Sequence, residues 1–164
     1  KESLQRGGDI NDGMDISFCY IYHDTNTLHF TGANHSAMIL RKTVDFASAD
    51  DAKIEVRTTN DKYSLIQLEG VRRPIGKSLS EEPFFEVSFQ LEKEDRIVLF
   101  SDGYADQFGG PQGKKLKYNR LREILVQISA KNTDQQEELL RGEFMAWKGN
   151  LEQVDDVLSI GMRV

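Results

Sequence analysis

The chain has 164 residues, 38% of them hydrophobic and 29% charged, with a formal net charge of −6. That is enough for one domain with a sizeable core, too apolar for a disordered segment, and too acidic, with no basic cluster among aromatics, for a nucleic-acid binder. No apolar run approaches the roughly 18 residues of a membrane span, no leader-like segment is visible, and the lone Cys19 can form no internal disulfide, which points to a cytoplasmic setting.

Residues 1–13 are polar and contain glycine, which predicts an irregular lead-in and places the folded domain at 14–164. Ile16, Phe18, Tyr20 and Tyr22 alternate with Ser17, Cys19 and Ile21, the period of a strand. Asp24-Thr25-Asn26-Thr27 reads as a hairpin turn, with a returning strand from Leu28 and Phe30 to Gly32. A loop at Gly32–Ser36 leads to a strand at Ala37–Arg41. Residues 42–52 read as a surface loop, Ile54 and Val56 as a short strand, and Tyr63–Leu68 as another. Arg72-Arg73-Pro74-Ile75-Gly76 is a tight connection whose paired arginines suit phosphate but more commonly face water. Phe85, Val87, Phe89 and Leu91 alternate with polar residues as a half-buried strand does.

Ile97-Val98-Leu99-Phe100 is an apolar run that predicts a strand covered on both faces. It stops at Ser101-Asp102-Gly103, so Asp102 is expected at the strand's C-terminal end, where a carboxylate can stay hydrated or meet a cation. The glycine-rich stretch from Gln107 to Gly113 reads as a flexible loop beside it. Leu121, Ile124, Leu125 and Ile128 follow helical spacing. Thr133 with Gln136 three places on predicts a capped helix start, with Leu140, Phe144 and Trp147 on one face and an end near Gly149. The chain closes on Gln153-Val154-Asp155-Asp156-Val157-Leu158-Ser159-Ile160, where the acids precede the apolar run. If the two apolar runs pair antiparallel, Asp102 and Asp155 share one rim. Carboxylates brought together repel unless a cation sits between them, and hard divalent ions are the usual partners.

The stretches Ser101–Gly110 and Gln153–Val157 resemble two signature motifs of the metal-dependent type 2C protein serine/threonine phosphatases, in their bacterial SpoIIE-like branch. Asp12–Ser17, Phe30–Met38 and Arg73–Gly76 are similar to that branch in the same order, so the resemblance covers nearly the whole chain. It implies an α+β fold, a β-sandwich of mainly antiparallel sheets flanked by helices, and hydrolysis of phosphoserine or phosphothreonine by water activated between two Mn2+ or Mg2+ ions. It assigns metal-ligand and catalytic roles to Asp102 and Asp155, with Gly103, Asp106 and Asp156 as weaker or supporting candidates. It further implies a phosphorylated regulatory protein as substrate, of the anti-sigma-factor-antagonist kind, and an upstream sensor domain that could tether the protein to a membrane. No nucleic acid and no membrane contact are expected of this segment.

The family's earlier acidic motif, of the Gly-Asp-Phe-Tyr type on its first strands, has no counterpart before Asp12. Gly7-Gly8-Asp9 is only a superficial candidate, and Asp9, Asp12 and Asp15 are the positions at which a further ligand would be sought. The chain therefore reads as the C-terminal portion of such a domain, lacking its first strands and helices. An open sheet edge should follow, with a tendency to self-associate. The competing reading is an inactive or truncated phosphatase-like module that acts in protein–protein interaction.

Overall fold

A computed structural model describes residues 13–42, 52–76 and 83–164. The lead-in before Gly13, with Asp9 and Asp12, and the loop reading over 43–51 lie outside these residues.

Three layers stack on one another. The first is a three-stranded antiparallel sheet in the order β2 (Ile16–Tyr22), β3 (Thr27–Ala33), β8 (Val87–Gln90). The second has five antiparallel strands in the order β12 (Ser159–Arg163), β9 (Arg96–Phe100), β4 (Ala37–Arg41), β6 (Ser64–Leu68), β5 (Ile54–Thr59). The third is helical: α2 (Lys117–Ile128) and α3 (Thr133–Lys148). Two short ladders complete the sheets: β1 (Gly13–Met14) with β7 (Ile75–Gly76), and β10 (Phe108–Gly109) with β11 (Lys114–Lys115).

Side chains of the middle sheet alternate between two cores because successive residues of a strand point to opposite faces. Ile39, Ile66, Leu68 and Ile97 meet Leu28, Phe30, Val87 and Phe89 of the first sheet. Met38, Leu40, Leu65, Val98 and Phe100 meet Tyr104, Leu121, Leu125 and Phe144 on the helical side. The middle strands are thus covered on both faces, as the unbroken Ile97–Phe100 run requires. The architecture is α+β, mainly antiparallel, and sandwich-like. No helix among the described residues is long and apolar enough to cross a membrane.

Several local readings shift. The start of α3 is capped by Asn132, not Thr133: the Asn132 side chain accepts from the Gln135 N–H at 2.9 Å, and Gln135 reaches back to the Asn132 N–H. Asn is the stronger cap of the two, and with Gln135 three places on, the box closes one residue earlier than the Thr-Gln spacing suggests. The Gln107–Gly113 stretch holds a strand rather than a plain flexible loop: β10 and β11 form a hairpin seated on α3, with the Gly110 N–H donating to the Trp147 carbonyl at 2.8 Å and the Trp147 indole donating to the Gln107 carbonyl at 3.1 Å. On β2, Cys19 and Ile21 pack against the first core, while Phe18, Tyr20 and Tyr22 face outward. Burial raises the Cys19 thiol above its ordinary value, consistent with an inert, core-facing cysteine. All five residues of β12 are exposed, and this strand lies at the edge of its sheet.

At the end of β4 remote from Asp102, Arg41 makes a two-pronged bond to Asp95, Nε to Oδ1 at 3.0 Å and Nη2 to Oδ2 at 2.6 Å, and Nη2 also donates to the Gln90 carbonyl. The Asp95 side chain is 1% exposed. Removing one partner of such a pair leaves a buried charge without its counter-charge. Asp95→Ala should therefore lower unfolding stability by about 3 kcal/mol. Glu92→Ala, which removes only the largely exposed partner of Arg41, should cost under about 1 kcal/mol. Urea unfolding of the two variants checks the contrast.

Candidate active site

Strand β9 delivers its last residue, Phe100, opposite Ser159 of β12, and its Val98 opposite Met38 of β4. Continued past the strand ends, these registers direct two loops toward Asp102: the segment before β12 on one side and Asn34–Ser36 before β4 on the other. Close contacts confirm the first. The Ser101 N–H donates to the Leu158 carbonyl at 3.0 Å, Ser101 Oγ donates to the Asp156 carbonyl at 2.8 Å, and the Leu158 N–H donates to Ser101 Oγ at 2.9 Å. Gly103 is buried against the same segment. A Cβ there would stand 2.4 Å from the Asp156 carbonyl oxygen and 3.3 Å from the Asp155 carbonyl carbon. Only a residue without a side chain lets the two backbones approach this closely.

Asp102 caps a one-turn helix, α1 (Gly103–Asp106), its carbonyl accepting from the Asp106 N–H at 2.9 Å. Its carboxylate makes no capping bond. Asp155 is exposed; its Oδ1 accepts from the Asp156 N–H at 2.7 Å and its carbonyl from the Gln153 amide at 2.8 Å. Asp156 is exposed and contributes its backbone to the junction. Asp106 is tied to Lys115 of the hairpin at 2.7 Å. The structure thus brings the Asp102 turn and the Asp155–Asp156 segment together, and turns Asp106 toward a lysine.

Four residues of this region have roles that no sequence pattern assigns to them. Gln107 is fully buried and pins the segment leading to Asp155: its amide donates to the Glu152 carbonyl at 2.9 Å, and its Oε1 accepts from the Val154 N–H at 3.4 Å. Ser101 forms the junction just described. Tyr118 and Arg122 project from α2 beside the rim. The Tyr118 hydroxyl is held above its ordinary value by burial first, and then by the negative charges of Asp102, Asp106 and Asp15, with Arg122 opposing. Three carboxylates therefore act on one ring. Asp15 reaches the rim by accepting from the Asn34 side chain at 2.8 Å.

The Asn34–Ser36 loop is held by the His35 carbonyl, which lodges between Gly32 and Gly70. A Cβ on either glycine would lie 2.1 or 2.0 Å from that oxygen. Asn34 takes a left-handed φ of 56°, which asparagine tolerates. This loop belongs to the same end of the sheet as Asp102.

A hard dication takes about six oxygen ligands. Among the described residues no group of three or more His, Cys, Asp or Glu is gathered closely enough to hold a metal ion. The field around Tyr118 is felt over longer distances than a ligand bond spans. The described residues alone do not fit a pair of ions.

The family model for stage II sporulation protein E (SpoIIE) matches residues 4–164. The SiaA-PP2C domain of Pseudomonas aeruginosa is similar in structure, with a TM-score of 0.71 at 21% identity over 92% of this chain and 51% of that one. The phosphatase domain of the cell fate determinant SpoIIE from Bacillus subtilis is similar with a TM-score of 0.53 at 15% identity, over 91% of this chain and 57% of that one. Its manganese-presoaked form gives 0.54 at 14%, over 92% and 56%. The likeness is one of fold, and the chain spans about half the length of these solved chains. No curated protein matches.

The junction sets a direct expectation. In Gly103→Ala the added methyl must push the Asp155–Asp156 backbone aside, because the atom it meets is backbone. Hydrogen exchange at the Leu158 and Ser101 amides should accelerate, while Leu65 and Ile66 in the middle sheet keep their protection. Ser101→Ala should do the same more mildly, at about 1 kcal/mol.

Proposed function

The chain belongs to the SpoIIE family of type 2C phosphatase domains, and we propose that it serves a protein serine/threonine phosphatase that uses Mn2+ or Mg2+. The observation that carries this reading is the seating of the Asp102 turn on the Asp155–Asp156 segment through Ser101 and Gly103. In this reading Asp102 and Asp155 are metal ligands, Asp156 and the Gly103 backbone support them, and further ligands come from outside the described residues. Ions held by Asp102 and Asp155 together with such further ligands would supply a coordinated water of lowered pKa and neutralisation of phosphoryl charge. The residues of this chain have the prior task of holding two carboxylates at fixed positions on one rim. Asp106, paired with Lys115, supports the hairpin beside the rim.

The substrate we propose is a phosphorylated regulatory protein of the anti-sigma-factor-antagonist kind, acted on in the cytoplasm under the control of a sensor domain. A second reading, a phosphatase-like module that works by docking, is favoured by the incomplete donor set and by the exposed β12 edge, where Leu158, Ile160 and Met162 are 58%, 53% and 45% exposed. Under that reading the chain self-associates through the edge.

Two measurements separate the readings. The intact protein should release phosphate from phosphoserine peptides with manganese or magnesium and stop in excess chelator. Asp102→Asn keeps the shape but removes a ligand charge, and should lower activity by about two orders of magnitude or more. Full turnover by Asp102→Asn, or by the wild type in chelator, would rule out the metal mechanism. For the 164 residues alone, we expect weak manganese binding, little hydrolysis of an aryl phosphate, and a size that grows with concentration. Tight binding of two ions by an active monomer would overturn that second expectation.

A further inference from the structure

Beside the acidic rim lies a small pocket of about 80 Å3, lined by Asn34, His35, Ser36, Gln67, Tyr118 and Arg122 among others. Its walls come from the loop before β4, from β6 and from α2. Met38 of β4 and Phe100 of β9 add an apolar side, so polar and apolar surface are about balanced, and one lining residue, Arg122, is a cation. The way that cation is held is unusual. Arg122 Nε and Nη2 both donate to Gln67 Oε1, at 3.1 and 2.7 Å, and Nη1 donates to Asn119 Oδ1 at 2.8 Å. Both acceptors are neutral amide oxygens. Among the described residues Arg122 forms no ion pair.

The carboxylate best placed to neutralise it is engaged elsewhere. Glu69 acts on Arg122 through its field, but its Oε1 accepts from Arg57 and from the Gln67 amide, and its Oε2 from Ser36 at 3.4 Å. Glu55 is likewise paired with Arg57, at 2.6 Å. A guanidinium has five N–H donors, and three are spent on Gln67 and Asn119. The two that remain belong to a fork whose plane is already fixed, so little freedom is left to lose on binding a planar or tetrahedral oxyanion. Partial burial disfavours the charge of Arg122; an incoming anion would offset that cost.

The Tyr118 ring neighbours this cation and feels the charge of the acids as well. The Arg122 guanidinium carbon lies 5.8 Å from its centroid, and Asp102, Asp106 and Asp15 act on its hydroxyl. A ligand bound beside Tyr118 would therefore lie near both the cation and the acidic rim.

We propose that the Arg122 pocket is an oxyanion subsite of the substrate, adjoining the acidic rim and made selective by a guanidinium held on neutral oxygens. Naming the ligand as substrate rests on the phosphatase reading above. The chemistry has two sources within one phosphoprotein: the phosphoryl group itself, or the carboxylate of a neighbouring acidic residue.

The test reads binding in the intact protein with excess chelator, so that neither metal nor turnover is involved and a failed phosphatase reading leaves it intact. The probes are inorganic phosphate and two phosphoserine peptides that differ by glutamate or glutamine beside the phosphoserine. If the pocket takes the phosphoryl group, Arg122→Gln should weaken phosphate binding about tenfold. If it takes the carboxylate, wild type should prefer the glutamate peptide about tenfold, and Arg122→Gln should abolish the preference. Arg122→Lys, which keeps the charge and loses the fork, should fall between. Should Arg122→Gln fail to fold, the wild type decides: titration with phosphate or the glutamate peptide must shift the side-chain resonances of Arg122 and His35. Unchanged phosphate affinity together with unchanged peptide discrimination in Arg122→Gln, or no shift at these two residues in the wild type, would overturn the inference.

Discussion

The rim depends on one junction, the pairing of β9 with β12 as it is finished at Ser101. Backbone pairing alone would carry the register to Ser159 opposite Phe100. Ser101 extends it by three further hydrogen bonds, of 2.8 to 3.0 Å, to Asp156 and Leu158. A hydroxyl both donates and accepts, so one side chain can hold a carbonyl and an N–H of the same turn. Gly103 then removes the steric obstacle to close approach. Asp102 and Asp155, far apart in sequence, are fixed relative to each other by this local chemistry and not by contact between their carboxylates.

Two arginines mark opposite ends of the middle sheet and are treated in opposite ways. Arg41 is matched by Asp95 in a bidentate, buried pair, with the Gln90 carbonyl taking a further N–H. That arrangement satisfies charge with charge and closes the sandwich. Among the described residues, Arg122 is held by amide oxygens alone. Neutral acceptors fix a guanidinium's plane without cancelling its charge. The first arrangement suits a structural role, and the second leaves a field available to a ligand at the end where the acids gather.

Much of this was legible from residue patterns, because strong periodicity and strong punctuation report local structure. The alternation in Ile16–Tyr22, the apolar run ending at Ser101-Asp102-Gly103 and the spacing of Leu121, Ile124, Leu125 and Ile128 all lie in elements of the expected type. The antiparallel meeting of the two apolar runs was legible from their mirrored acids. Other features were not. The cap moved from Thr133 to Asn132 because adjacent residues compete for it and Asn, with Gln135 three places on, is the stronger cap. The glycine-rich stretch after Gln107 became a hairpin because the Trp147 carbonyl and indole give its backbone partners, which no local pattern announces. Arg122 and Tyr118 carry no signal in the residue pattern, which marks only the apolar positions of their helix; the fold shows that they border the rim.

The edge strand raises a last physical question: what holds β12, when every residue in it is exposed? Burial of apolar surface contributes little to it, so its position rests on hydrogen bonds and on its two ends. At one end Ser101 grips Leu158 and Asp156. At the other, the Val164 N–H donates to the Asp95 carbonyl at 2.9 Å, and the Glu94 N–H donates to the Val164 carbonyl at 3.0 Å, with Arg163 paired to Glu94. Asp95 is the residue that anchors Arg41. The buried ion pair thus fixes the turn that fixes the far end of β12, and β12 carries that register back to Asp155. Polar bonds at a solvated edge are individually weak and easily exchanged with water. The relative placement of Asp102 and Asp155 thus rests on polar bonds at both ends of one solvated strand.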